Sequence, residues 1–218
     1  MTDPEPTGGP RPDVNDVRAV HGGLRREFRL FPDLLTAATD AGEEERVAAL
    51  RDHWALITGI LHRHHGGEDE LLWPVLEGRS AAVEDVVPLM REQHEAMLAT
   101  LAEADAVVAD WSGTDPATLA PVRRLAEELS AHLDAEEADV LPLAEALLSV
   151  DEWEALGVHG RAGVPPDKMP VVACMLMEDA DEAALAAFLA PMPPEVQGLA
   201  TGPWQEVYAG YVATLRGG

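Results

Sequence analysis

The chain has one cysteine, Cys174, in 218 residues, so no internal disulfide can form and the composition fits a reducing compartment. Runs of Val, Ile and Thr are scarce, which speaks against a sheet protein. No stretch of 18 apolar residues exists to span a membrane, and the opening Met1 to Pro12 is polar and Pro/Gly-rich, without the apolar core of a secretory signal. Bases are few as well: 15 Lys and Arg face 40 Asp and Glu, a net charge of −25 that would repel a phosphate backbone. The expectation is a cytoplasmic protein with a disordered leader over residues 1–12 and neither a nucleic-acid nor a membrane partner. Oligomeric state is not legible.

What is present, 47% hydrophobic and 25% charged residues rich in Ala and Leu, suits a helical protein. A first helix is expected from near Asp13 or Asn15 to near Gly42, with the seam Val14, Val17, His21, Leu24, Phe28, Phe31, Leu35. A second, from Glu43 to Glu45 onward, carries Val47, Leu50, Trp54, Ile57, Leu61, His64, Glu68, Leu71, Val75. A third reads Val87, Met90, His94, Met97, Leu101, Ala104, Val108, Trp111 and stops near Ser112-Gly113. A fourth, capped by Asp115 with Pro116 at its first position, reads Val122, Leu125, Leu129, His132, Glu136, Val140, Leu143, Leu147. Asp139 and Val140 compete for one place on that seam.

The expected fold is all-α: an antiparallel up-and-down four-helix bundle over 13–148, with a helical C-terminal extension over 149–218 packed on it. In the extension a short helix should end at Gly157, Pro165-Pro166 should turn the chain, and further helices fit 168–178, 181–190 and 194–200. The last presents Trp204, Val207 or Tyr208, Tyr211 and Leu215 on one face.

Six seam positions are polar: His21, His64, Glu68, His94, His132 and Glu136. They form a twofold pattern, His and then His-x-x-x-Glu, with each Glu followed at the sixth position by proline, Pro74 or Pro142. Within each pair the spacing puts imidazole and carboxylate on one helix face, about 6 Å apart along the axis. A lone core histidine is ordinarily just hydrogen-bonded, and His64 with Glu68 alone could be an exposed helix pair. Together, in phase, the six point to metal. Two buried carboxylates side by side need protons or cations. Four imidazoles and two carboxylates suit borderline first-row ions. If both Glu bridge two octahedral ions, four His and a shared oxo or hydroxo leave positions open.

These residues resemble the hemerythrin-like family, the His-His-Glu cation-binding domains. His21, His64-x-x-x-Glu68 ending in Leu-Leu-Trp-Pro, His94, and His132-x-x-x-Glu136 ending in Val-Leu-Pro fall on the family pattern over roughly 13–148. The resemblance implies two non-haem Fe ions, oxo- or hydroxo-bridged, and a small ligand: O2, NO or peroxide. His21, His64, His94 and His132 would be terminal ligands, and Glu68 and Glu136 bridges. Alternatives are a catalase-like or nitric oxide reductase enzyme, and an iron- or redox-responsive regulatory module. Oxygen-carrying members have another histidine one turn after the third-helix one. Here that place is Leu98, which shifts the expectation toward peroxide or nitric oxide chemistry or an iron-dependent switch. A replacement ligand would come from His53, His62, His65 or His159.

Asp69, Glu70 and Glu137 read as solvated residues, with the option of orienting a ligand histidine. Cys174 reads as a small buried hydrophobe. The pairs Gly22-Gly23 and Gly66-Gly67 are costly inside helices. The expectation is that they permit close approach of the first two helices or a narrow path for a diatomic.

Overall fold

The structure is a computed structural model that describes residues 9–113 and 115–217. Most of the expected leader therefore lies outside the described residues. Among them every regular element is helical. None is long and apolar enough to cross a membrane.

The first helix, α1 (Asn15–Asp40), starts where Asp13 accepts the Asn15 backbone N–H, and the chain turns at Gly42 with φ +70°. α2 (Glu44–Gly67) runs without interruption into a π turn over Glu68–Leu72 and then α3 (Trp73–Arg79), with Pro74 in the first turn of the restarted helix. α4 (Val86–Asp110) follows. Asp115 caps a 3-10 turn, Pro116–Leu119, through the Ala117 N–H, and that turn leads into α5 (Ala120–Asp139). A break at Val140 separates α5 from α6 (Leu141–Leu147), which again carries proline, Pro142, in its first turn. A proline there needs no backbone donor, so both restarts tolerate it.

The four long helices touch in a closed ring: α1 meets α2 and α5, and α4 meets α5 and α2. Every expected seam residue of the third long helix, from Val87 to Val108 on α4 and Trp111 just past its end, is buried. On α2 the seam holds through Leu61 and Glu68 and then slips. Leu72 and Leu76 are buried where regular periodicity points to Leu71 and Val75. The π turn explains the slip, because its wider i→i+5 hydrogen bonding inserts one residue and advances the register. In the fourth helix Val140 takes the contested place and Asp139 is exposed.

The extension is helical throughout: α7 (Val150–Ala162), α8 (Met169–Met177), α9 (Glu182–Leu189), α10 (Pro194–Ala200) and α11 (Pro203–Arg216). Its first helix continues through Gly157 to Ala162, against the expected stop. Ser149 and Glu152 form a capping box at its start, and Gly157 stays helical, without the left-handed turn that ends helices. On α11 it is Tyr208, with Leu215, that turns inward, while Val207 is exposed. α8 and α9 pack on α1, and α7 and α11 on α2.

The glycines serve this packing and not the α1–α2 contact. A Cβ on Gly23 would stand 2.8 Å from Leu176 Cδ2 and 3.1 Å from Leu176 Cα, so α8 approaches α1 only because Gly23 is bare. Gly67 similarly admits the His159 ring of α7, whose Cδ2 would be 3.3 Å from an added Cβ.

The apolar core divides in two. One cluster runs from Leu24 and Leu61 through Met97 and Leu133 into the extension. The other gathers Leu72, Trp73, Leu76, Met90 and Val140 at the opposite end. The polar seam residues occupy the level between.

Candidate metal centre

All six expected residues come together there. One nitrogen or oxygen from each of His21, His64, Glu68 and Glu136 lies within 4.8 Å of every other. A second such group joins Glu68 to His94, His132 and His65. Glu68 belongs to both.

His65 is the addition that phase on a regular helix misses, since it neighbours His64 and points off the seam. It is buried, its ring stacks on His94 with centroids 4.1 Å apart, and its Nε2 has no hydrogen-bond partner. The other three reserve histidines lie elsewhere. His62 is exposed. His53 sits between Tyr211 Oη at 2.9 Å and Glu27 Oε2 at 3.1 Å, and His159 packs on Gly66 and Gly67. Leu98 is 47% exposed, so that position of α4 faces away from the core.

Ring orientation is set from outside. His21 Nδ1–H donates to Glu137 Oε1 at 2.9 Å, His94 Nδ1–H to Asp69 Oδ1 at 3.2 Å, and His132 Nδ1–H to Gln93 Oε1 at 2.8 Å. Carboxylate and amide oxygens only accept, so each Nδ1 carries the proton and each Nε2 of a neutral ring turns a lone pair inward. Glu137 is itself clamped by Arg18 and Arg25 at 2.7 Å each. Burial would raise its pKa, but the His21 and Arg25 hydrogen bonds outweigh that and hold it at about 2. Asp69 is steadied by the Trp73 indole N–H at 2.9 Å. Asp69 and Glu137 were legible as possible orienting groups. Gln93 was not, since an amide next to His94 leaves no periodic trace.

Inside this frame the donors face one another. Nε2 of His94 and of His132 are 3.2 Å apart, as are those of His21 and His64. Glu68 Oε1 is 3.2 Å from His64 Nε2, Glu68 Oε2 3.4 Å from His94 Nε2, and Glu136 Oε2 3.3 Å from His21 Nε2. Glu68 Oε2 and Glu136 Oε2 are buried with no hydrogen-bond partner. Burial pushes both carboxyl groups up and pushes His64, His65, His94 and His132 down, His132 to about 3. Neutral imidazoles with opposed lone pairs and orphaned carboxylate oxygens are what a bound cation would satisfy, and the mixed N/O set suits a borderline ion. The residues fit metal.

The level is open on one side. Glu68, Glu136 and His64 stand in the wall of a cavity of about 480 Å³, which further residues of α1 and α2 and apolar residues of the extension, among them Trp153 and Leu156, complete. That is far more than the narrow diatomic path expected from the glycines. Cys174 is buried beneath α10, its Sγ 3.8 Å from the Ala200 carbonyl, and burial pushes the thiol up to about 11, which makes it inert.

Compared with known families, residues 13–144 match the hemerythrin HHE cation-binding domain. Neither a curated protein nor a solved structure matches the chain.

Proposed function

The chain belongs to the hemerythrin HHE cation-binding family, and on that premise we propose a cytoplasmic non-haem di-iron protein that takes up O2, nitric oxide or peroxide at an open iron position. The four long helices are read as an antiparallel up-and-down bundle. Residues 13–148 are its unit and 149–218 a covering extension. His21, His64 and Glu136 with one Glu68 oxygen would hold one ion. His94, His132 and His65 with the other Glu68 oxygen would hold the second. The observation that carries this reading is that Glu68 is common to the two donor groups, which makes it the natural bridge.

When bound, two irons supply Lewis acidity and electrons to the small ligand. The chain's part is to fix the donors beforehand. Glu137, Asp69 and Gln93 hold three rings with Nε2 inward, so little reorganisation accompanies loading. The two apolar clusters keep bulk water from the donors at either end of the bundle.

Optical spectra of the purified iron-loaded protein, recorded before and after O2, nitric oxide and peroxide, test the reading. A distinct change with at least one of the three is expected, and steady consumption of that ligand would make the protein an enzyme. No change with any of them overturns the proposed function.

A further inference from the structure

The cavity beside the carboxylates is too large for the ligands considered so far. At about 30 Å³ per small group it has room for on the order of ten to sixteen non-hydrogen atoms, and about 480 Å³ lies within the usual range for organic-ligand pockets. Its wall is chiefly apolar, with Val20 from α1, Ile60 from α2, and Leu156, Leu176 and Trp204 from the extension.

Two arginines interrupt that wall, Arg63 on α2 and Arg161 on α7. Among the described residues neither guanidinium has an ion pair or hydrogen bond, and Arg63 Nε is buried without a partner. Arg11 and Arg29 are unpaired among these residues as well, but both are exposed and neither lines the cavity. Arg18, Arg25, Arg79, Arg91 and Arg216 each reach a carboxylate within 2.7 Å. Asp16, in the same wall, is occupied elsewhere: its Oδ1 accepts from Trp153 Nε1 at 2.9 Å and from Val17 N at 2.8 Å. A last-turn position would explain Arg161 alone as a partner of the helix dipole. It leaves Arg63 unexplained, because α2 continues past it. The Arg63 side chain also reaches the end of α7. The Arg63 stem crosses Gly163, where an added Cβ would stand 2.7 Å from Arg63 Cδ, two residues beyond Arg161.

Arg63 is half-buried with its Nε enclosed and unpartnered, while Arg161 is exposed; a guanidinium nitrogen buried without an acceptor is costly, and a carboxylate is the partner whose planar, two-oxygen geometry matches it. We infer that the cavity binds an amphipathic organic acid of about ten to sixteen non-hydrogen atoms, its carboxylate on Arg63 and Arg161 and its hydrocarbon body against Val20, Leu156, Leu176 and Trp204. The inference rests on the proposed di-metal function in one respect: it names the substrate class that the extension presents to Glu68 and Glu136. The extension is then the recognition element of the protein, built on a bundle that supplies the donors.

Calorimetric titration with decanoate tests this, using purified protein whose metal content has been measured. Decanol and decyltrimethylammonium serve as neutral and cationic probes of equal chain length. Decanoate is expected to bind one per chain and at least tenfold more tightly than decanol, with decyltrimethylammonium weakest. The paired substitution Arg63→Gln and Arg161→Gln should remove the preference for decanoate while leaving decanol binding within about twofold. Gly160→Phe places a ring in the cavity from a position where a Cβ meets nothing within 4 Å, and should weaken both. Circular dichroism on each variant establishes that it is folded. Equal affinity for decanoate and decanol, or no binding of either to folded protein, overturns the inference. Metal content keeps the two readings apart. Full loading without decanoate binding sinks the cavity proposal alone, and tight decanoate binding to a protein that takes no metal supports the cavity proposal while sinking the di-metal one.

Discussion

His94 and His132 face each other Nε2 to Nε2 at 3.2 Å while Asp69 and Gln93 hold their outer nitrogens. Both outer partners accept, so both inner nitrogens present lone pairs at hydrogen-bond distance with no proton between two neutral rings. The core has been arranged around a positive charge that side chains do not supply.

His65 should therefore count as a ligand. His65→Ala is expected to bring the metal content from about two ions per chain toward one, whereas His62→Ala, on an exposed neighbour, should leave it unchanged. Metal analysis of both variants after the same iron loading and desalting distinguishes them, and equal loss in both would remove His65 from the set.

The outer partners should matter almost as much as the ligands. Gln93→Leu and Glu137→Ala each release one inward-facing ring, and each should weaken metal affinity about 10- to 100-fold. Competition with a chromophoric chelator reads this directly. A Glu103→Ala control, which breaks only an exposed ion pair with Arg124, should leave affinity as it is.

A second polar network ties the extension to the bundle and gives a pH dependence of its own. Glu27 is buried between Arg26 at 2.7 Å and His53 at 3.1 Å, with Arg216 of α11 at 3.2 Å. Burial would raise its pKa, but the His53 hydrogen bond and the charges of His53 and Arg26 bring it from 4.5 to about 2. A depressed carboxyl stabilises the fold above its unfolded value and loses that contribution as pH falls through its folded value. Glu27→Gln should thus cost roughly 1–3 kcal/mol at neutral pH. In chemical denaturation the gap to the parent protein should close between pH about 4.5 and about 2.

The two helical glycines of α1 should respond in opposite senses. Gly23→Ala drives a methyl against the Leu176 backbone and should destabilise by about 1–3 kcal/mol. Gly22→Ala meets nothing within 4 Å and should gain about 0.5–1 kcal/mol from helix propensity. Thermal unfolding of the two variants gives the signs.

Much of the site could be read from the sequence because metal ligands in a helical core announce themselves. His21, His94 and His132 interrupt seams that are otherwise apolar, and His64 with Glu68 repeats the spacing of His132 with Glu136. The reading depended on straight helical phase and failed where the phase changes. At Glu68–Leu72 the π turn moves burial from Leu71 and Val75 to Leu72 and Leu76, and no residue type in that stretch encodes the wider turn. Gln93 and Arg63 were invisible for another reason. Their meaning lies in what they face across space, His132 for the one and a largely apolar chamber for the other, and one-dimensional periodicity records only the helix on which a residue sits. The chamber itself is assembled from α1, α2, α5 and the extension, which no local pattern connects.

The most direct test of the central claim is the metal-to-chain ratio of the purified full-length protein after expression in iron-replete cells. The shared Glu68 and its two donor groups predict about two irons per chain, lost on chelation together with a drop in melting temperature of roughly 5–10 °C. Fewer than one bound metal per chain, with the same melting temperature before and after chelation, would contradict the account.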